Sequence, residues 1–291
     1  MSITNTKKIK RTGKRKGSLV VRIIGLTLFS VYAFSLLGSY VWTFLNSLKT
    51  RIEYMEGVVD LPEQWLFSNY VRAFSVLSAS GKNVFTMLFN SMWLSLLTPT
   101  ISIFTSAMAS YVMAKYKFPG RSLIWGIMIT TMVIPIYGST AATYKMYRLL
   151  NLFDSPMILV TAICGLGGSM MMIAAFESVS TTYMEAAFLD GAGHARTFFT
   201  IILPQMTGLL SALWIMSFIG EWNNYMKPIM FLPSYVTLTS GLYLYQLENE
   251  RKLDTPILFA GAIMCCIPAV FLFVTFQDKF LNMSYGGGIK G

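Results

Sequence analysis

The 291-residue chain is 54% hydrophobic and only 12% charged, with a mean hydropathy of +0.56. Soluble domains carry about 25% charged residues, so this composition excludes an ordinary water-soluble domain and points to an integral membrane protein. The net charge of +10 is unevenly spread: Lys7, Lys8, Lys10, Arg11, Lys14, Arg15, Lys16 and Arg22 all precede the first acid, Glu53. A basic run can mean nucleic acid. Directly before an apolar segment it fits orientation and anionic headgroups better, and no nucleic-acid partner is expected. The apolar stretch after it is too long for a cleavable signal peptide, and no small-residue cleavage site is evident.

In chain order, residues 1–17 form a basic cytoplasmic tail and residues 18–83 a first transmembrane helix with its outer loop. The first span covers about Leu19 to Leu45, since about 20 apolar residues cross the hydrocarbon. The loop after it carries Pro62, Trp65 and Tyr70, which suggest a headgroup-level segment. Residues 84–277 are the core transmembrane domain, with further spans at about Val84–Ala114, Ser122–Tyr137, Pro156–Phe176, Gln205–Ile219 and Pro256–Phe276. Pro99 is a candidate kink in the second span. Gly165, Gly167 and Gly168 in the fourth span permit close helix approach. Residues 278–291 form a cytoplasmic tail. The expectation is an all-α membrane protein of six transmembrane helices with both termini cytoplasmic. The basic tail and the basic 115–121 turn agree with that orientation, as does the charge-balanced 46–83 loop.

One soluble stretch interrupts the oily pattern, within a cytoplasmic loop at residues 177–205. Thr182-Tyr-Met-Glu185 fits a capping box, in which hydroxyl and carboxylate satisfy free backbone N–H groups at a helix start. Asp190-Gly191 supplies a stop, because glycine readily takes the left-handed conformation that closes a helix. A second helical pattern runs from about Ala192 to Leu203, and Pro204 marks the boundary with the next segment. The resulting short helix–turn–helix carries an apolar edge of Met184, Ala187, Phe188, Phe198 and Ile201. An exposed apolar edge implies a partner.

Catalytic machinery is missing from the pattern. No Gly-x-x-x-x-Gly-Lys-Ser/Thr nucleotide loop occurs, and Gly165-Leu-Gly-Gly168 lies within a span without the lysine. His194 is the single histidine, read as a solvated loop residue rather than a catalytic or metal ligand. Cys164, Cys265 and Cys266 sit in apolar segments and read as small hydrophobes, so no metal site is expected. Carboxylates are almost absent from the spans, which argues against a proton- or sodium-coupled pump. The chain is expected to be no enzyme and to bind no cofactor of its own.

The 185–204 stretch resembles the EAA loop of binding-protein-dependent ABC importer permeases. That pattern is Glu-Ala-Ala, three residues, Gly, nine residues, Ile, one residue, Leu-Pro. Here it reads Glu185, Ala186, Ala187, Gly191, Ile201, Leu203 and Pro204, in register throughout. The resemblance implies a type I importer permease fold and an ATPase-coupling role for those residues and Asp190. It also implies partners: a second permease in a heterodimer, an ABC ATPase dimer that uses ATP, an extracytoplasmic solute-binding protein and membrane lipids. Gly220-Glu-Trp222-Asn223-Asn224 through Pro228 resembles the Trp-Asn…Pro segment of carbohydrate-importer permeases. The Gly-rich end, with Gly288 and Lys290, resembles a maltose-type tail that contacts the ATPase dimer. Trp222, Asn223 and Asn224 read either as an interface with headgroups or binding protein, or as a sugar site on the substrate path. The implied function is the maltose-type second permease subunit of a sugar or oligosaccharide importer. Its place is a bacterial or archaeal cell membrane, multi-pass. Glycerol phosphate or peptide as cargo, and a stand-alone secondary carrier, are the alternatives.

Overall fold

The computed structural model describes residues 13–76, 83–134, 138–164, 169–248 and 254–286. Every regular element among them is helical. Helix α1 (Gly13–Ser47) leads into two short helices, α2 (Arg51–Glu56) and α3 (Ser68–Val76). Then come the long α4 (Val84–Lys115), α5 (Arg121–Val133) and α6 (Thr140–Leu149). A 3₁₀ segment over Pro156–Cys164 precedes α7 (Ser169–Ser178) and α8 (Thr182–Leu189). Next are α9 (His194–Thr197), a π-helical turn over Phe198–Ile202, α10 (Leu203–Gln205) and α11 (Thr207–Asn223). The chain closes with α12 (Met226–Phe231), α13 (Leu238–Glu248) and α14 (Thr255–Gly286).

Three described helices are long and apolar enough to cross a membrane, at Val21–Ser47, Val84–Lys115 and Thr255–Thr275. A fourth arises if His194–Gln205 and Thr207–Asn223 count as one span, with a 77° bend between them. The other two expected spans fall on shorter pieces. One is α5, of 13 residues; the other is the 3₁₀ segment followed by α7, of 10 residues. Pro135 and the Gly165–Gly168 cluster lie outside the described residues, as do the tail residues Gly288 and Lys290 and the basic residues before Gly13.

Helix α4 is the centre of the helix bundle, touching α7 on one side and α11 on the other. It is apolar on all sides, as expected of a helix buried among neighbours or lipid, and it carries Pro99 in its buried interior. Two of its polar side chains find backbone partners on the turn before α13. Asn90 donates to Val236 O at 3.0 Å, and Ser91 Oγ accepts from Leu238 N at 2.8 Å. Within an apolar surround an unmet backbone group costs several kcal/mol, so these bonds hold the 236–238 turn in place.

The 46–70 connection is built rather than loose. Thr50 forms a reciprocal capping box with Glu53 at the start of α2. Asn69 donates to Ser47 O and Lys49 O at 2.9 and 2.8 Å, and buried Lys49 donates to Gly57 O at 2.7 Å. Tyr70 turns inward to Ser47 Oγ at 2.9 Å, whereas Trp65 stays exposed. Trp42 at the end of α1 meets Phe259 of α14 edge-on, with ring centroids 5.5 Å apart.

Candidate functional site: a helical loop seated on the end of α4

The loop comprises α8, the turn at Asp190–Gly193 and the helical run from His194 to Gln205. Its first helix starts differently from the expectation. Thr181, not Thr182, is the N-cap and makes no side-chain cap bond. Ser180 takes over: its Oγ accepts from Thr182 N at 3.3 Å and lies 2.7 Å from Thr182 Oγ1. With Thr182 inside the helix, its hydroxyl no longer faces the free N–H groups and the Thr182–Glu185 capping box does not form. Glu185 remains in the first turn of α8, where an anion complements the helix dipole.

The stop behaves as expected. Asp190 N reaches back to Ala186 O at 3.0 Å, Gly191 N to Phe188 O at 3.1 Å and Ala192 N to Ala187 O at 2.9 Å. Gly191 has φ +77°, in the left-handed region that side chains rarely adopt. The second helical run begins at His194 behind Gly193, two residues later than the sequence pattern suggested. Its middle widens into the π turn, closed by Leu203 N to Phe198 O. Pro204 follows at once. Proline lacks an N–H and its ring crowds the carbonyl four residues earlier, and a wider turn at Phe198–Ile202 relieves that crowding.

Four of the five residues of the expected apolar edge turn inward, and Phe188 alone keeps the exposure expected of it, at 38%. Met184, Ala187 and Phe198 are buried and Ile201 is half-buried. Met184, Phe198 and Ile202 pack with Ile103, Ala107 and Tyr111 of α4 and with Met172 and Phe176 of α7. Tyr111 lies at the focus, its ring 4.8 Å from Phe198 and 5.8 Å from Phe176. The period of the pattern was right, but the cover is the protein's own core. Outside, next to Phe188, stand Tyr183, Glu185, Ala186, Leu189 and Asp190, with Leu189 89% exposed. Among the described residues the Glu185 carboxylate has no partner within the chain. Lys115 at the end of α4 donates to Val179 O just before the loop. Arg121 pairs with Glu177 at 3.5 Å, both substantially exposed, a geometry worth little on its own.

The expected site residues therefore divide. Glu185, Ala186, Asp190 and Gly191 form one exposed ledge, with Ala187 buried beneath it. Half-buried Ile201 and Leu203, followed by exposed Pro204, sit on the far arm that leads into α11. Trp222, Asn223 and Asn224 do not form a surface triad. Trp222 is 1% exposed, donates from Nε1 to Cys265 O at 2.9 Å and stacks on Phe218 at 5.8 Å. Neither a headgroup nor a sugar reaches its ring in this arrangement, which corrects the expectation for that residue. Asn224 Oδ1 accepts from Lys227 N at 3.1 Å at the start of α12. Exposed Asn223 donates to Ile219 O at 2.9 Å.

Sequence reasoning missed a polar array under the ledge. His194 Nδ1 lies 2.8 Å from Tyr116 Oη, Tyr116 Oη lies 3.4 Å from Tyr111 Oη, and Tyr111 Oη approaches Met184 Sδ at 3.9 Å. These residues are separated by up to 83 positions along the chain, and no short-range pattern links them. No group of three or more His, Cys, Asp or Glu with metal-holding geometry occurs among the described residues.

A helical membrane protein with several apolar helices and an exposed ledge anchored on them is the class that fold and site define. Residues 102–281 match the family model described as "Binding-protein-dependent transport system inner membrane component", and the chain belongs to that family. It is 26% identical over 244 residues to the diacetylchitobiose uptake system permease protein of Streptomyces coelicolor, covering 82% of this chain and 79% of that one. The sulfoquinovosyl glycerol transport system permease protein of Agrobacterium fabrum is 27% identical over 257 residues, 86% of this chain and 88% of its own. A solved bacterial ABC transporter involved in the import of the acidic polysaccharide alginate shares the fold, with a TM-score of 0.75 at 20% identity. That likeness covers 94% of this chain and 99% of the neighbour. The chain is thus a multi-pass inner membrane permease.

Proposed function

We propose that this chain is the transmembrane permease subunit of an ATP-driven importer for a sugar or oligosaccharide. With a second permease it forms the path for cargo delivered by an extracytoplasmic binding protein, and an ABC ATPase dimer supplies the work. In this reading the chain itself binds no cofactor and hydrolyses no ATP. Six spans put both termini in the cytoplasm, with α5 in one of them and the Pro156–Cys164 and Ser169–Ser178 segments in another.

The observation that carries the reading is the ledge. Glu185, Asp190 and Gly191 stand exposed on a loop whose other side packs against α4 and α7 through Met184 and Phe198. A partner pushing on such a ledge moves packed helices rather than a loose loop, because close-packed interiors transmit displacement. The sugar assignment is supported by the names of relatives that carry diacetylchitobiose, trehalose and maltodextrin.

The test reverses Glu185→Lys and replaces Gly191 by valine. Co-purification of the ATPase and ATP-driven uptake of the sugar identified on the cognate binding protein are then measured. Loss of both is the expected result. Wild-type levels of both would mean that the ledge is not the coupling element.

A further inference from the structure

The loop and the end of α4 meet across an open apolar cleft of about 520 Å³. Tyr116 and Phe118 line it from the α4 side, and His194, Phe198 and Phe199 from the loop side. Apolar contacts across such a cleft are non-directional and permit sliding. A hydrogen bond fixes both distance and angle. His194 supplies that bond: Nδ1 to Tyr116 Oη at 2.8 Å, bridging the two walls.

His194 is also held as a ring. Tyr116 meets it edge-on at 5.5 Å and Phe188 of α8 at 4.9 Å. It is the first residue of α9, with Gly193 as N-cap. One side chain thus touches both arms of the loop and the residue that terminates α4. His194 is exposed, as a loop histidine is expected to be, yet its ring is engaged by all of these partners. Because a tyrosine hydroxyl both donates and accepts, the bond survives in either neutral tautomer of the imidazole.

We propose that His194 is a positioning residue: its bond to Tyr116 latches the loop to the end of α4, so that loop and helix move as one body. The proposal rests on the reading that the loop receives the ATPase. It adds the route by which displacement of the loop reaches the span at the centre of the helix bundle.

The experiment uses the purified importer complex, with Cys164, Cys265 and Cys266 replaced by alanine. Nitroxide labels are placed at Ala109→Cys on α4 and Arg196→Cys on the loop, both exposed positions. Pulsed electron–electron resonance reads the label-to-label distance, nucleotide-free and with Mg-ATP plus vanadate. With the latch intact, one narrow distribution holds in both states. Tyr116→Phe keeps the ring and removes the hydroxyl, and is expected to raise the detached population about fivefold, the factor that one net hydrogen bond confers. His194→Phe does the same, and the double variant is no worse than either single change, as for two ends of one bond. His194→Asn, whose carboxamide sits where Nδ1 does, restores the narrow distribution. A role in packing alone would give the reverse ranking, with phenylalanine tolerated and asparagine not. That ranking, or a Tyr116→Phe distribution as narrow as the wild type, overturns the proposal. If the wild-type complex carries no ATPase, the coupling reading fails instead, while the nucleotide-free arm still decides the latch.

Discussion

Gly191 is the position where a single atom should matter most. Its φ of +77° lies in the left-handed region, while a Cβ built there meets nothing within 4 Å. Any cost of substitution is therefore conformational, not steric. For alanine the left-handed backbone costs about 1–2 kcal/mol. A β-branched residue is a stronger outlier there, and asparagine is among the side chains that tolerate it best. The expected order of loss is Asn, then Ala, then Val. If the turn must close for the ATPase to seat, about 1.4 kcal/mol appears as roughly tenfold weaker association. The assay is the affinity of the purified ATPase for the permease complex in nanodiscs, measured for all three variants together with thermal stability. Equal affinities for glycine and valine would refute the claim that the left-handed turn is enforced. Asparagine as damaging as valine would refute the claim that only the backbone matters.

Two further predictions concern the folded frame. Trp222→Phe removes the bond to Cys265 O and is expected to cost about 1 kcal/mol. Trp222→Ala opens a cavity in a packed cluster and should cost about 3–5 kcal/mol in thermal unfolding of the purified protein. Equal effects would place the residue outside the core. Lys227→Ala strands the largely shielded Glu221 carboxylate, now bonded to Lys227 Nζ at 3.0 Å with side-chain exposures of 18% and 19%. It should cost about 1.5–3 kcal/mol, and the double change Glu221→Gln with Lys227→Met should recover most of it. A double variant worse than the single would contradict that account.

Much of the site was legible because its signals are local. The turn at Asp190–Gly191 needs a residue free to take positive φ, and the sequence announces one. Helical periodicity likewise placed Met184, Ala187 and Phe198 on one side. What periodicity does not encode is what covers that side, so an inward seam against Tyr111 and Phe176 read as an outward edge. The helix start shifted because Ser180, Thr181 and Thr182 compete for the same cap, and side-chain geometry alone decides among them. Trp222 reads as interfacial in any chain where tryptophan ends a span; its burial depends on Cys265, 43 positions away. The array of His194, Tyr116 and Tyr111 is tertiary in the same sense. The 3₁₀ segment over Pro156–Cys164 was invisible because hydropathy counts apolar residues without registering the type of helix they form.

The most direct test of the central claim compares two faces of one helix. A photo-crosslinking residue at Leu189, 89% exposed, and one at Met184, 7% exposed, report on opposite sides of α8. In membranes holding the intact importer, Leu189 is predicted to capture a protein carrying the Gly-x-x-x-x-Gly-Lys-Ser/Thr nucleotide loop, while Met184 captures only this chain. Capture of that ATPase from Met184 but not from Leu189, or from neither, would contradict the account.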